Sequence, residues 1–122
     1  MPNSSTLVQT LPINVLGSTR VFVYSLFFDT TGTDLTVRTA ATGKMHVVCG
    51  LIHDESTAHT LTIKSGASTT IATLEKAGGY NIPINSHVIC ATTPGEALTI
   101  RTSAAISQMT VYLIEMDSVK VD

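Results

Sequence analysis

The sequence predicts an all-β chain, a jelly-roll-like antiparallel sandwich of about eight to nine strands with a possible N-terminal arm. Three observations point there. Threonine and serine supply about a quarter of the 122 residues, with valine and isoleucine close behind, and this is strand composition. Apolar residues alternate with period two, and Gly, Pro or β-branched residues break the 3.6-residue period wherever it starts. Turn signals recur about every 8–12 residues, the spacing of sandwiches and barrels. A chain of 122 residues suits one core and is too short for two.

The elements follow in order. Leu7–Val15 contains Pro12, which lacks the N–H a ladder needs, so it is expected at an edge or as an arm. Gly17-Ser18 then leads into Arg20–Phe28, which holds every Phe of the chain. Thr31-Gly32-Thr33-Asp34 turns into Asp34–Thr39, where Leu35 and Val37 alternate with Thr36 and Arg38. Thr42-Gly43 precedes a long strand, Lys44–His53. Thr60–Lys64 and Thr69–Leu74 flank Ser65-Gly66, and Ala77-Gly78-Gly79 separates them from Asn81–Ala91. Pro94-Gly95 introduces Ala97–Thr102, and Ser107–Met116 closes the fold. The expected division is an arm or edge strand over 1–16, one sandwich over 17–116 and a short polar tail over 117–122.

Charge excludes several roles. Charged residues are 13% of the chain and the net charge is −2, so the basic stripe that nucleic-acid binding needs is missing. The apolar run Val111–Ile114 falls far short of the roughly 18–20 residues of a spanning helix, so no membrane partner is expected. The first residues lack a basic segment followed by an apolar one, so no secretory signal is expected. Cys49 and Cys90 make no disulfide framework, and both are expected to be reduced and structural in a reducing cytoplasm.

Two strands are apolar on both faces. Arg20–Phe28 presents Val21, Val23, Ser25 and Phe27 on one side and Phe22, Tyr24, Leu26 and Phe28 on the other. Ser107–Met116 presents Met109, Val111 and Leu113 opposite Tyr112, Ile114 and Met116. An antiparallel sandwich ordinarily wets one face of each strand. The surplus implies cover, either by the chain's own N-terminal segment or by another subunit. The candidate interface with another subunit is therefore Leu11, Ile13, Phe22, Tyr24, Phe28, Tyr112, Ile114 and Met116. Met1–Leu16 is expected to dock on a neighbour, with pairing inside its own domain as the alternative.

Chemistry-bearing residues are sparse. His53-Asp54-Glu55 with His59 is the densest group, but it lacks HExxH spacing and falls at a strand end beside Ser56-Thr57-Ala58, so it is expected to be a solvated turn. His46 and His87 are expected at the surface or rim. Cys49 shares a parity with Val47 and Leu51 and is expected to be a small buried apolar residue. Gly78-Gly79 has no helix after it to cradle phosphate, and Asp29 to Asp34 lacks the carboxylates of a calcium loop. No catalytic residue, cofactor or metal is assigned, and the chain is expected not to be an enzyme.

The second half carries an ordered series of motifs. Gly43-Lys44 enters the long strand, followed by Leu61-Thr62-Ile63-Lys64-Ser65-Gly66 and Ala77-Gly78-Gly79. Then come Thr92-Thr93-Pro94-Gly95-Glu96-Ala97-Leu98-Thr99-Ile100, Ser103-Ala104-Ala105 and Val111-Tyr112-Leu113-Ile114-Glu115. In this order, from Thr42 to Met116, the chain resembles a family of short tailed-bacteriophage virion proteins, the β-sandwich head decoration or cement type. The resemblance implies a structural component of the particle, a homotrimer on the capsid surface that bridges and stabilises subunits of the major capsid protein. It implies residence in the host cytoplasm before assembly. A symmetry axis multiplies each weak contact by the number of chains engaged. The alternative is a tail or fibre domain that binds a host surface glycan or protein. The absence of Trp, with Tyr24, Tyr80 and Tyr112 the only Tyr, weighs against a glycan platform.

Overall fold

The structure is a computed structural model and describes residues 3–29, 31–53, 59–76, 80–82, 89–103 and 106–117. Among these, the strands are β1 (Ser4–Leu11), β2 (Val21–Phe28), β3 (Leu35–Arg38), β4 (Lys44–His53), β5 (His59–Ser65), β6 (Thr69–Lys76), β7 (Tyr80–Ile82), β8 (Cys90–Ala91), β9 (Leu98–Thr102) and β10 (Ile106–Asp117). Two of the sequence expectations shift. The first strand spans Ser4–Leu11 rather than Leu7–Val15, because Pro12 ends the ladder. Asn81–Ala91 contributes two short strands, β7 and β8, and residues 83–88 lie outside the described residues.

All pairings are antiparallel, and one set of them is nested. β2 pairs β10, β3 pairs β9, β4 pairs both β7 and β8, and β5 pairs β6. The chain therefore behaves as one long hairpin about the β5–β6 turn. Rolling that hairpin lets β10 also pair β4 and β9 also pair β5. The result is two sheets, β1-β2-β10-β4-β7 with β8 also on β4, and β3-β9-β5-β6. This is the jelly roll the sequence predicted, with β1 added at one edge.

The space between the sheets is filled by Leu26, Phe28, Val48, Leu51, Leu61, Ile63, Leu98, Ile100, Met109, Val111 and Leu113. Most of these are fully buried, and each large side chain so placed contributes about 1.5–3 kcal/mol relative to exposure. A second, smaller cluster lies on the outer face of the larger sheet. It joins Val21, Val47, Cys49 and Ile114 under Val15, with Leu11, Met45, Ala91, Tyr112 and Met116 at its margin. The two-faced apolar pattern is thus explained inside one chain: the segment after β1 folds back and covers the outer face.

A bulge separates the two clusters along β4. Tyr112 pairs Gly50 and Leu113 pairs Val48, so Cys49 is the extra residue. Cys49 accordingly joins Val47 on the outer face, while Leu51 enters the main core. The simple parity that grouped Cys49 with both is broken there.

The β5–β6 turn is pinned to the segment before β9. Ser65 Oγ donates to Glu96 Oε1 at 2.7 Å, Gly66 N–H donates to Ala97 O at 2.8 Å, and Thr99 Oγ1 donates to Gly66 O at 2.7 Å. Gly66 has φ of +66°, and a Cβ there would stand 3.1 Å from Glu96 Oε2. Gly66→Ala is expected to lower stability by about 1–2 kcal/mol, the cost of left-handed backbone for an L-residue. A urea midpoint unchanged from the parent chain would show that the turn relaxes freely.

Candidate functional site

Ser4–Leu11 (SSTLVQTL) has no charged residue, although it lies at the edge of its sheet. Edge strands are usually protected by charge, proline or bulges. Here protection rests on a register shift between Leu7 and Gln9, which leaves Val8 unpaired, and on Pro12 beyond the end. The strand is bonded to β2 of its own chain, with seven register partners from Ser4↔Phe27 to Leu11↔Val21. The intermolecular arm expected for Met1–Leu16 is therefore replaced, over the described residues, by the intrachain alternative.

Beyond β1 the chain makes a second, tighter reversal. Val15 and Ser18 exchange two backbone hydrogen bonds of 2.9 Å around Leu16-Gly17. Leu16 has φ of 52° and Gly17 of 84°, the pair of positive values that a type I′ turn demands. Asn or Gly ordinarily fills the first position, and Leu there carries strain of about 1–2 kcal/mol. Leu16 is nonetheless 39% exposed. It borders an open groove of about 300 Å³ with Gly17, Ser18, Glu115, Met116 and Asp117.

Among the described residues, the large apolar side chains that face solvent are Leu7 (45%), Val8 (57%), Ile13 (41%) and Leu16 (39%). All four fall within ten residues of sequence, Leu7 and Val8 on β1, Ile13 in the segment after it and Leu16 in the turn. This apolar edge is the candidate functional site.

The eight interface candidates from the sequence are distributed differently. Ile13 is exposed and belongs to the edge. Leu11, Tyr112 and Met116 are half-buried around the outer cluster. Tyr24, Phe28 and Ile114 are buried within the chain and have no surface to offer, because the opposite sheet covers Tyr24 and Phe28 while Val15 and its neighbours cover Ile114. Phe22 lies under cations, with the Arg38 guanidinium 4.1 Å and that of Arg20 5.8 Å from its ring centre. Leu7, Val8 and Leu16 were visible in the sequence as apolar members of the N-terminal segment, but their exposure depends on a turn geometry the sequence does not advertise.

Arg38 ties the sheets together on this side of the sandwich. From β3 its Nε donates to Glu115 Oε2 at 2.9 Å and its Nη1 to the Tyr24 hydroxyl at 2.8 Å. His46 lies behind them. It is fully buried, not at the rim as expected, and its Nε2 stands 2.9 Å from the Thr39 carbonyl. A carbonyl only accepts, so Nε2 carries the proton. Nδ1 is 3.6 Å from Glu115 Oε2. Burial pushes the His46 pKa below the ordinary imidazole value, against the Thr39 carbonyl and Glu115, which favour the cation.

Asp34 makes a second cross-strand tie, accepting from Lys64 Nζ at 3.0 Å and Arg101 Nε at 2.9 Å. Desolvation raises its pKa, but the hydrogen bonds and charges of Lys64 and Arg101 outweigh that and hold the carboxyl below the usual range. The two groups have separate pH signatures. His46, lowered in the fold, takes up its proton more readily unfolded, so stability falls as pH drops below about 6.5. Asp34, also lowered, contributes stability above about 3.9 that is lost as pH falls through its folded value. Urea midpoints against pH are expected to show both limbs. His46→Gln flattens the first and Asp34→Asn the second; parallel curves for either variant and the parent would contradict its assignment.

His53 and His59, read from the sequence as part of a solvated turn, are 4% and 5% exposed. They end β4 and open β5, and alternation with Leu51 and Leu61 turns them into the inter-sheet space. Their Nε2 atoms are 3.4 Å apart. Asp54, Glu55 and His87 lie outside the described residues. Among the described residues, no group of three or more His, Cys, Asp or Glu has metal-holding geometry. Cys49 and Cys90 are free and buried. Burial pushes the Cys90 thiol to about 12 and raises that of Cys49, so neither is poised as a nucleophile.

No protein-family model matches the chain, and no curated protein matches it. Among solved structures, the enzymatically active domain of tailspike protein 4 of bacteriophage CBA120 aligns with 95% of this chain, at 17% identity and a TM-score of 0.30. The alignment spans 19% of that protein's own chain. A likeness at that level transfers neither fold nor activity.

Proposed function

We propose that this chain is a non-enzymatic structural protein of a tailed-bacteriophage particle, and that it acts as a capsid decoration, or cement, protein. In this role it associates with itself as a trimer and binds the major capsid protein at the capsid surface. The motif series over residues 42–116 supplies the phage setting. The observation that carries an assembly role is the apolar edge: four exposed large side chains between an uncharged strand and the strained turn that follows it, Leu7, Val8, Ile13 and Leu16. A chain with 13% charged residues suits a life spent in an assembly. A cement protein needs no catalytic centre. It needs a rigid body and a surface that gains by burial, so that pressure from packed DNA loads its contacts together with those of the capsid.

Leu16 gives a sharp test of the surface. Backbone strain at an exposed apolar residue persists where the side chain has a use. Leu16→Asn, which suits the left-handed conformation, is expected to stabilise the isolated chain by about 1 kcal/mol while weakening self-association. Urea titration and light scattering measure the two effects. A variant that gains stability and associates as before would show that Leu16 has no role in contact.

The location in the particle is tested by counting copies against the major capsid protein in purified particles that contain this chain. Hundreds of copies are expected for a decoration protein. A handful would instead favour a tail or fibre domain that binds a host surface glycan or protein.

A further inference from the structure

We propose that His46 is the trigger of an acid-operated latch in the fold: a proton on its ring frees the end of β3 from the larger sheet. The device belongs to the fold itself and does not depend on what the apolar edge binds.

β3 is a short edge strand of the smaller sheet. It has 4 residues, and its register partners on β9 are Ile100, Thr99 and Leu98, with a shift between Thr36 and Arg38. The rest of its hold comes from the larger sheet. The Val37 carbonyl accepts from Ser5 Oγ of β1 at 3.2 Å. Arg38 donates to Glu115 of β10 at 2.9 Å and to the Tyr24 hydroxyl of β2 at 2.8 Å. The Thr39 carbonyl, next along, accepts from His46 Nε2 of β4 at 2.9 Å. A short edge strand with so few ladder partners opens at lower free energy than the core strands beside it.

His46 is fully buried, and its Nδ1 has no hydrogen-bond partner. There the neutral ring presents a lone pair to Glu115 Oε2, 3.6 Å away and beyond the roughly 2.7–3.2 Å of a good bond. Glu115 and Arg38 are the charged groups that act on the ring. Beyond them, Tyr24 is bound by Arg38, and Asp117 is paired with Lys44. After β8, Thr92 exchanges two hydrogen bonds of 2.9 Å with the His46 backbone and offers the ring no charge.

Among the described residues, one carboxylate thus serves the site, and Arg38 already holds its Oε2. A proton on Nδ1 makes the imidazole a second cation beside it. If Glu115 turns to His46, it slackens on Arg38; if it stays, the new N–H is buried without an acceptor. Either arrangement leaves a buried cation short of a partner, which is costly until water reaches it. Lifting the end of β3 takes the Thr39 carbonyl off Nε2 and admits water. In the closed fold, burial outweighs the groups that favour the cation and keeps the His46 pKa below the ordinary value. The opened ring takes the proton more readily, so falling pH through about 6.5 shifts the balance toward the open form.

Hydrogen exchange of the full ¹⁵N-labelled chain tests the latch, followed by NMR from about pH 7.5 to 5 and corrected for the pH dependence of free amides. Protection of the β3 amides is expected to fall by up to about tenfold for each pH unit below about 6.5, the limit for one proton. Low urea is expected to leave their exchange unchanged, since a local opening exposes little surface, while it speeds exchange at Leu61 and Ile63 in the core. His46→Gln, whose side-chain amide can still donate to the Thr39 carbonyl, is expected to keep β3 protection level across the range. A readout on the parent chain removes any dependence on how the variant folds: at neutral pH, ring ¹⁵N signals are expected to show the His46 proton on Nε2. A proton on Nδ1 instead overturns the proposal. So does β3 protection that stays level with pH in the parent chain, falls equally in the variant, or follows urea as the core does.

Discussion

Phe28→Ala is expected to remove about 3–5 kcal/mol of folding stability, the usual cost of emptying a fully buried aromatic site. Phe28 is 0% exposed and ends β2 in the main core, in register with Ile106 of β10. Its surroundings come from both sheets, so the cavity cannot close by moving one strand. A domain of this size has about 5–15 kcal/mol in total, and the variant is expected to lose a large share of that. The outcome also separates two roles for the residue. A side chain reserved for another subunit would lose association and keep its urea midpoint; a core side chain loses its midpoint first. Chemical denaturation of the variant at low concentration, where association plays no part, makes the distinction.

Deleting residues 1–16 is expected to abolish cooperative folding. The deletion strips β2 of its register partners along Ser4–Leu11 and turns a central strand into an edge. It also removes Val15 and Leu11 from the outer cluster, exposing Val21, Val47, Cys49 and Ile114. At about 1.5–3 kcal/mol for each large apolar side chain left wet, the loss reaches the whole stability of a small domain. Far-UV circular dichroism and a urea titration of the truncated chain test this. A truncated chain that folds normally and loses only association would restore the intermolecular arm.

Much of the fold was legible because strand composition, alternation and turns agree with one another. Lys44–His53 and the start of Thr69–Lys76 fall where the pattern places them. The two-faced character of β2 and β10 was legible too, but not what covers it. Val15 sits in a segment whose Pro12 suggested an arm, and only the reversal at Leu16-Gly17 brings it back. That turn is invisible to a search for Asn-Gly, because Leu occupies the position that demands positive φ. The histidines were misjudged for a related reason. Burial of a polar side chain depends on partners distant in sequence, such as Glu115 near His46, and periodicity carries no information about them. The bulge at Cys49 shows the same limit, since one inserted residue reverses every parity inference beyond it.

The most direct test of self-association through the N-terminal edge is the mass of the full chain in solution. Light scattering at tens of micromolar is expected to give a trimer, about three times the 12.9 kDa of one chain. The variant carrying Leu7→Ser, Val8→Ser, Ile13→Ser and Leu16→Asn is expected at the mass of one chain, with an unchanged far-UV spectrum. A parent chain that remains at 12.9 kDa across the concentration range would contradict the assembly role assigned to the edge.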